Sequence, residues 1–293
     1  MPVAPIDFRD AQSVCDTLRE GARANYLAVC RVFGIDRISY PGLLIATGDL
    51  HDNPFHFDAL CRVAQLDERG DTHLVLHEVI HSDRLMNGMD LSYRALTKVA
   101  GLKAAYPERI HTLLANHELA QLQEAAILKD GVQPVLAFKK GVDYVFGSDT
   151  EAVLIAIKEF IASMPIALRC VCPNSDFIVC HSLPAVAMMG RFDPSIFSRI
   201  LTDDDFRARA GSVHHLIWGR GYDSESIEDL VERWGASMFI LGHEHADSGA
   251  RFVPPCAVVL NSDHERGVYV PIDLSNPPRA EQVPGIAVPL NSV

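Results

Sequence analysis

Asp49 and His51, in the stretch Gly48-Asp49-Leu50-His51-Asp52-Asn53, are two cation-binding side chains set two residues apart, directly after the apolar run Gly42-Leu43-Leu44-Ile45-Ala46. In an extended chain residues i and i+2 face the same side, so the pair could grip one ion. Taken alone it is more often an ordinary polar turn after a buried strand. Four later apolar runs end in the same manner. Thr72 to Leu76 runs into His77, Glu78, His81, Asp83 and Arg84. Arg109 to Ala115 runs into Asn116, His117 and Glu118. Phe177 to Cys180 ends at His181, and Ser237 to Leu241 opens onto Gly242-His243-Glu244-His245.

In an open α/β sheet, ligands collect beyond the carboxyl ends of the strands, so these distant residues are expected to converge. Carboxylates, imidazoles and one amide oxygen, with no thiolate, suit Mn, Fe or Zn. Asp49, His51, Glu78, Asn116, His181, His243 and His245 are too many donors for one ion and fit two metals sharing a carboxylate.

The elements that must position them follow from periodicity. Apolar residues at Val14, Leu18, Ala22, Tyr26, Cys30 and Phe33 predict a helix over 11–33, after Asp10 as N-cap and ending at Gly34. Helices are expected after the Asp49 loop, on a face of Phe57, Leu60, Cys61 and Ala64, and again with Leu91, Ala95, Val99 and Leu102. The stretch 119–165 reads as helical, broken at Asp130-Gly131, with Ser148-Asp-Thr-Glu151 as a capping box. It is the expected place for an element that covers the site. Ala167 to Cys172 and Phe177 to Cys180 read as strands, residues Ile227 to Trp234 as a helix, and Ala257 to Leu260 and Val268 to Val270 as closing strands. The expectation is one domain over 1–293, with an N-terminal helical extension (1–40), a helical insert (119–163) and a loosely held Pro-rich tail (275–293).

The chain of 293 residues carries 26 Lys plus Arg against 38 Asp plus Glu, a formal charge of -12. That balance argues against a nucleic-acid duplex as partner, and any phosphate chemistry would need local cations. Seven Cys without a regular framework, no signal-peptide pattern and no long apolar stretch lead to the expectation of a cytoplasmic protein without a membrane span.

The ordered blocks Gly-Asp49-Leu-His51, His77-Glu78, Ala115-Asn116-His117-Glu118, Cys180-His181-Ser182 and Gly242-His243-Glu244-His245 resemble the calcineurin-like metallophosphoesterase superfamily. Asp83-Arg84, Met164-Pro165-Ile166-Ala167 and Leu216-Ile-Trp-Gly-Arg220 make the chain most similar to its serine/threonine phosphoprotein phosphatase and diadenosine tetraphosphatase branch. The resemblance implies a four-layer α/β/β/α sandwich with mixed sheets, two divalent metal ions, Mn2+ foremost, and hydrolysis of phosphoesters by in-line attack of a metal-bridging hydroxide. It implies that Asp49, His51 and His245 bind one metal, that Asn116, His181 and His243 bind the other, and that a carboxylate bridges them. His117 would then be the general acid, oriented by Asp83, with Arg84 and Arg220 on the phosphate oxygens. A phosphorylated protein is the first substrate, followed by dinucleoside polyphosphates and small phosphoesters.

The second block departs from the usual Gly-Asp-x-x-Asp-Arg-Gly. Alignment on Asp83-Arg84 puts Ile80, which cannot ligate, at the bridge; alignment on the strand end puts Glu78 there, with His81 as its rival. Asp52, Ala115, Leu85 and Ser182 stand where the family usually has Gly. His77-Glu78-Val79-Ile80-His81 also matches the zinc-peptidase pattern, which requires a helix. A phosphatase-like binding protein without turnover is a further alternative. His56, His73, His111, His214 and His215 are expected as core or surface residues, and His264 as either these or part of the site.

Overall fold

In the computed structural model, which describes residues 5–126, 128 and 131–293, strands and helices alternate from the third strand to the fifth, and the chain closes with a run of strands. Helix α1 (Ala11–Leu27) is followed by β1 (Arg31–Val32), β2 (Ile35–Ser39) and β3 (Leu43–Thr47). Then come α2 (Pro54–Ala64), β4 (Thr72–His77), α3 (Tyr93–Ala105) and β5 (Ile110–Leu113). Helices α4 (Asn116–Leu122), α5 (Pro134–Phe146) and α6 (Thr150–Ser163) lead to β6 (Ala167–Val171) and β7 (Asp176–Cys180). After α7 (Asp203–Phe206), α8 (Ser212–Trp218) and α9 (Ser224–Trp234), the chain ends with β8 (Ala236–Leu241), β9 (Ala250–Val253), β10 (Ala257–Leu260), β11 (Val268–Asp273), α10 (Val283–Ile286) and β12 (Val288–Pro289).

The strands form two mixed sheets, one ordered β1-β2-β6-β7-β8-β10-β9 and the other β12-β11-β3-β4-β5. Alternation of side chains explains how they stack. Leu44, Ala46, Val75, Val179, Met238, Ile240 and Val258 belong to one apolar layer, shared by both sheets and therefore between them. Their neighbours Ile45, Leu74, Leu76, Ile178, Phe239 and Leu241 belong to a second core with α1, α3, α6 and α9. Strands buried on both faces and clothed by helices give the expected α/β/β/α sandwich.

Because β3, β4 and β5 are mutually parallel, as are β7, β8 and β10, all six carboxyl ends point to one edge. Asp49 joins them, pairing by isolated bridges with both His77 and Asn261.

Several local expectations are corrected. The first helix stops at Leu27, and residues 31–39 form two strands, because the apolar spacing through Cys30 and Phe33 continues into a β-hairpin. Ser148 is not a cap: 147–149 form a 3-10 turn, and α6 starts at Thr150 without a side-chain cap bond. The 119–163 segment supplies α5 and α6, and α6 packs along α1 as part of the helix layer. Asp130 of the expected break lies outside the described residues. The Pro-rich tail is held down: Val283 and Leu290 are buried, and β12 pairs with β11. Among the described residues, no helix is long and apolar enough to cross a membrane.

Candidate metal centre

The loop after β3 is stitched to the loop after β4. The N–H groups of Leu50 and His51 donate to the Glu78 carbonyl at 3.1 and 2.8 Å, and that of Asp52 donates to Val79 at 2.8 Å. Glu118, at the start of α4, is fully buried, and its Oε1 accepts from the N–H groups of Val79 and Ile80 at 2.7 and 3.1 Å. Burial and the nearby Glu78 push the Glu118 carboxyl up to about 7. These bonds fix the backbone that carries Glu78. His51, Asp52, Glu78, His81 and His243 all have positive φ, between 42° and 66°. For a residue with a Cβ this conformation costs about 1 kcal/mol or more, so strain is concentrated at these loops.

Four donor atoms from four chain segments meet here. The Nε2 of His181 lies 2.7 Å from Glu78 Oε2, 2.6 Å from Asn116 Oδ1 and 3.1 Å from His243 Nδ1. His243 Nδ1 is 2.9 Å from Asn116 Oδ1. His77 decides what His181 presents. Its Nε2–H donates to the Thr47 carbonyl at 2.9 Å, so its Nδ1 is an acceptor, and His181 Nδ1–H points to it at 3.3 Å. That leaves a lone pair on His181 Nε2, facing three other lone-pair atoms. Burial drives His181 and His243 well below the usual imidazole range, with further lowering by neighbouring His51 and Arg220 at His181 and by His181 and Arg220 at His243. Burial, and then Glu78, push Asp49 well above the usual carboxylate range. Neutral imidazoles, an amide oxygen and a buried carboxylate meeting at one point are a donor set for a divalent cation. Asn116, His181 and His243, expected as one ligand set with Glu78 beside them, are thus brought together.

The other expected set is not. Asp49 accepts both of its bonds from the His243 N–H, at 3.0 Å each, and sits with His77 and His181. His51 groups instead with Glu78 and His117: its Nε2 is 3.4 Å from Glu78 Oε1, and His117 Nε2 is 3.5 Å from the same atom. The His245 side chain is 69% exposed and pairs with Asp247 at 2.9 Å, its ring 5.4 Å from that of His264. The turn after Gly242 sends the second histidine of Gly-His-x-His outward.

Asp83, expected to orient His117, is exposed. The two added residues of the second block, with left-handed Glu78 and His81, turn it to the surface. Two rings pack against His117, those of His81 and His51, with centroids 5.1 and 5.2 Å away. His81 is buried, and its Nδ1 lies 3.2 Å from the equally buried Asp90, which also accepts from the Ser92 N–H. Arg84 reaches the Asp52 carbonyl, with Asp52 Oδ2 at 3.8 Å. Arg220 Nη2 lies 3.5 Å from His243 Nδ1.

The zinc-peptidase pattern fails on geometry, since His77 ends a strand and both its ring nitrogens are engaged. His77, Glu118 and Asp90 were missed as site residues because each acts behind a donor. His77 next to Glu78 at a strand end was the available signal. His56, bonded to the Ser262 carbonyl, and the chain from half-buried His73 through buried His111 to Asp36 are structural.

Two mixed sheets carry this donor cluster at their shared carboxyl edge. No family model and no curated protein matches the chain in sequence. Among solved structures, it is similar to a protein serine/threonine phosphatase from Saccharomyces cerevisiae, itself similar to human phosphatase PP5. The TM-score is 0.67 at 14% identity, over 90% of this chain and 83% of that one. A cold-active protein-tyrosine phosphatase of a psychrophilic Shewanella is also similar, with a TM-score of 0.53 at 13% identity over 87% and 82% of the two chains.

Proposed function

We propose that this protein is a metal-dependent phosphomonoesterase acting on phosphoserine or phosphothreonine. The observation that carries the reading is the meeting of Glu78, Asn116, His181 and His243 lone pairs within 3.1 Å of His181 Nε2, in a fold like that of a serine/threonine phosphatase. These four residues would hold a divalent ion, manganese first and iron or zinc next. A divalent metal supplies positive charge for the phosphoryl oxygens and acidifies water. The rest falls to the chain. Arg220, beside His243, offers a forked donor to the non-bridging oxygens. His117 protonates the leaving alkoxide. His81, anchored by Asp90, holds the His117 ring in place, and Glu118 holds the Glu78 loop.

A second reading, a phosphate-binding protein without turnover, is favoured by the outward His245. Hydrolysis of an aryl phosphate, a phosphopeptide and a dinucleoside tetraphosphate after reconstitution with Mn separates the readings. Turnover of the phosphopeptide, abolished by His181→Ala, supports the first; preference for the tetraphosphate moves the substrate assignment; no turnover supports the second.

A further inference from the structure

Beside the metal centre lies a cavity of about 500 Å³, within the range of ligand pockets. Asp52 and Val79 line it, and each directly follows a site residue, His51 and Glu78, so the cavity continues the rim of the centre. Its walls are of two kinds. Phe8, Phe57 and Leu91 give an apolar surface, while Arg84, Arg94 and Lys98 bring three cations.

Arg84 is tied to Asp52, and Arg94 Nε donates to the Tyr93 hydroxyl at 3.4 Å. Lys98 Nζ sits 5.9 Å over the Phe57 ring, and the Arg94 guanidinium sits 5.7 Å over Tyr93. Among the described residues neither Arg94 nor Lys98 forms an ion pair. Asp52 is the one carboxylate in the lining, and Arg84 lies 3.8 Å from it. In a chain of formal charge -12, three cations around one opening reverse the local field and favour an anion there. Burial of an apolar group on Phe57 and Leu91 would strengthen those contacts by excluding water.

We propose that this cavity receives the residues flanking the phosphorylated side chain: an apolar side chain on Phe57 and Leu91, followed by a carboxylate at Arg94 and Lys98. The inference rests on the phosphoprotein reading above and adds a sequence preference to it. Neither Arg94 nor Lys98 has a part in the metal centre, so their removal separates selection from chemistry.

The test uses phosphoserine peptides with Phe-Glu before the phosphoserine, Phe-Glu after it, Phe-Lys in the better of those positions, or Ala-Ala. Each is assayed with the wild type and the Arg94→Ala/Lys98→Ala variant, with an aryl phosphate as control. Two exposed ion pairs amount to roughly a five- to tenfold preference in kcat/KM. The expected result is that one Phe-Glu peptide exceeds Phe-Lys and Ala-Ala by about that factor, and that the variant loses the preference while keeping the aryl phosphate rate. Fluorescence anisotropy with the same peptides, labelled, on chelated protein reads the cavity without catalysis. There too the Phe-Glu peptide should bind better to the wild type than to the variant. Equal binding of all peptides, or a preference that survives in the variant, overturns the inference. Absence of aryl phosphate turnover with selective binding intact overturns the catalytic reading alone.

Discussion

His77 sets the tautomer of His181. Their Nδ1 atoms lie 3.3 Å apart, and His77 Nε2 is committed to the Thr47 carbonyl, so His181 turns its Nε2 lone pair toward Glu78, Asn116 and His243. Partners behind a metal ligand typically govern about 10–100-fold in affinity. His77→Phe should therefore weaken Mn binding by about that factor while the fold persists, as read by calorimetric titration and circular dichroism. Unchanged affinity would remove His77 from the site.

Two histidines of one motif should behave differently. His243→Ala should abolish retained metal, because His243 belongs to the buried donor cluster, whereas His245→Ala should leave the first equivalent of metal in place, because its side chain is 69% exposed. Elemental analysis of the purified variants checks both. Equal losses would mean that His245 swings inward when metal binds.

Asp90→Asn should impair alkyl phosphates more than activated aryl phosphates, since the latter need little proton donation on departure. A loss of about 10–100-fold on alkyl substrates is expected, against a few-fold on aryl ones. Asp83→Asn, at an exposed position, should leave this leaving-group dependence unchanged. The comparison of rates over a series of leaving groups reads it.

Gly242 lies directly against the site. A Cβ there would collide with Asp49 Oδ1 and crowd the His77 ring. Gly242→Ala should lower both metal content and thermal stability, the latter by about 1–3 kcal/mol, as overpacking does elsewhere. A fully stable, metal-replete variant would contradict the placement of Asp49.

Two histidines should make stability fall with acid. Burial, then His111 and Arg109, hold His73 down to about 4, and burial with His181 holds His77 down to about 3. The unfolded chain takes up protons on these groups near pH 6.5, while the folded chain does so only near pH 4 and 3, so stability is lost as pH falls below about 6.5. His73→Gln should reduce the slope of unfolding free energy against pH between about 6.5 and 4. An unchanged slope would place the shift elsewhere.

The α/β class was legible because five strand candidates end in polar clusters and amphipathic helices lie between them; the four-layer sandwich followed only from the resemblance those clusters carry. The second ligand set was legible because its members end separate strands, at Asn116, His181 and His243. The first set was not. Whether Asp49, His51 and His245 converge depends on backbone turns at φ 42° for His51 and 66° for His243, and motif spacing does not encode these. Asp83 illustrates the same limit: an irregular loop of two extra residues decided which side chain borders His117. Asp90 was invisible because it acts through His81, nine residues away in sequence.

The central claim is a metal-dependent phosphatase centre built on Glu78, Asn116, His181 and His243. Its most direct test is the rate of aryl phosphate hydrolysis by chelated protein, titrated with Mn, for the wild type and for Glu78→Gln. The account predicts turnover that rises with Mn and saturates in the wild type and is at least about 100-fold lower in the variant. Wild-type protein that fails to hydrolyse the ester with Mn, Fe or Zn, or a variant that matches it, would contradict the account.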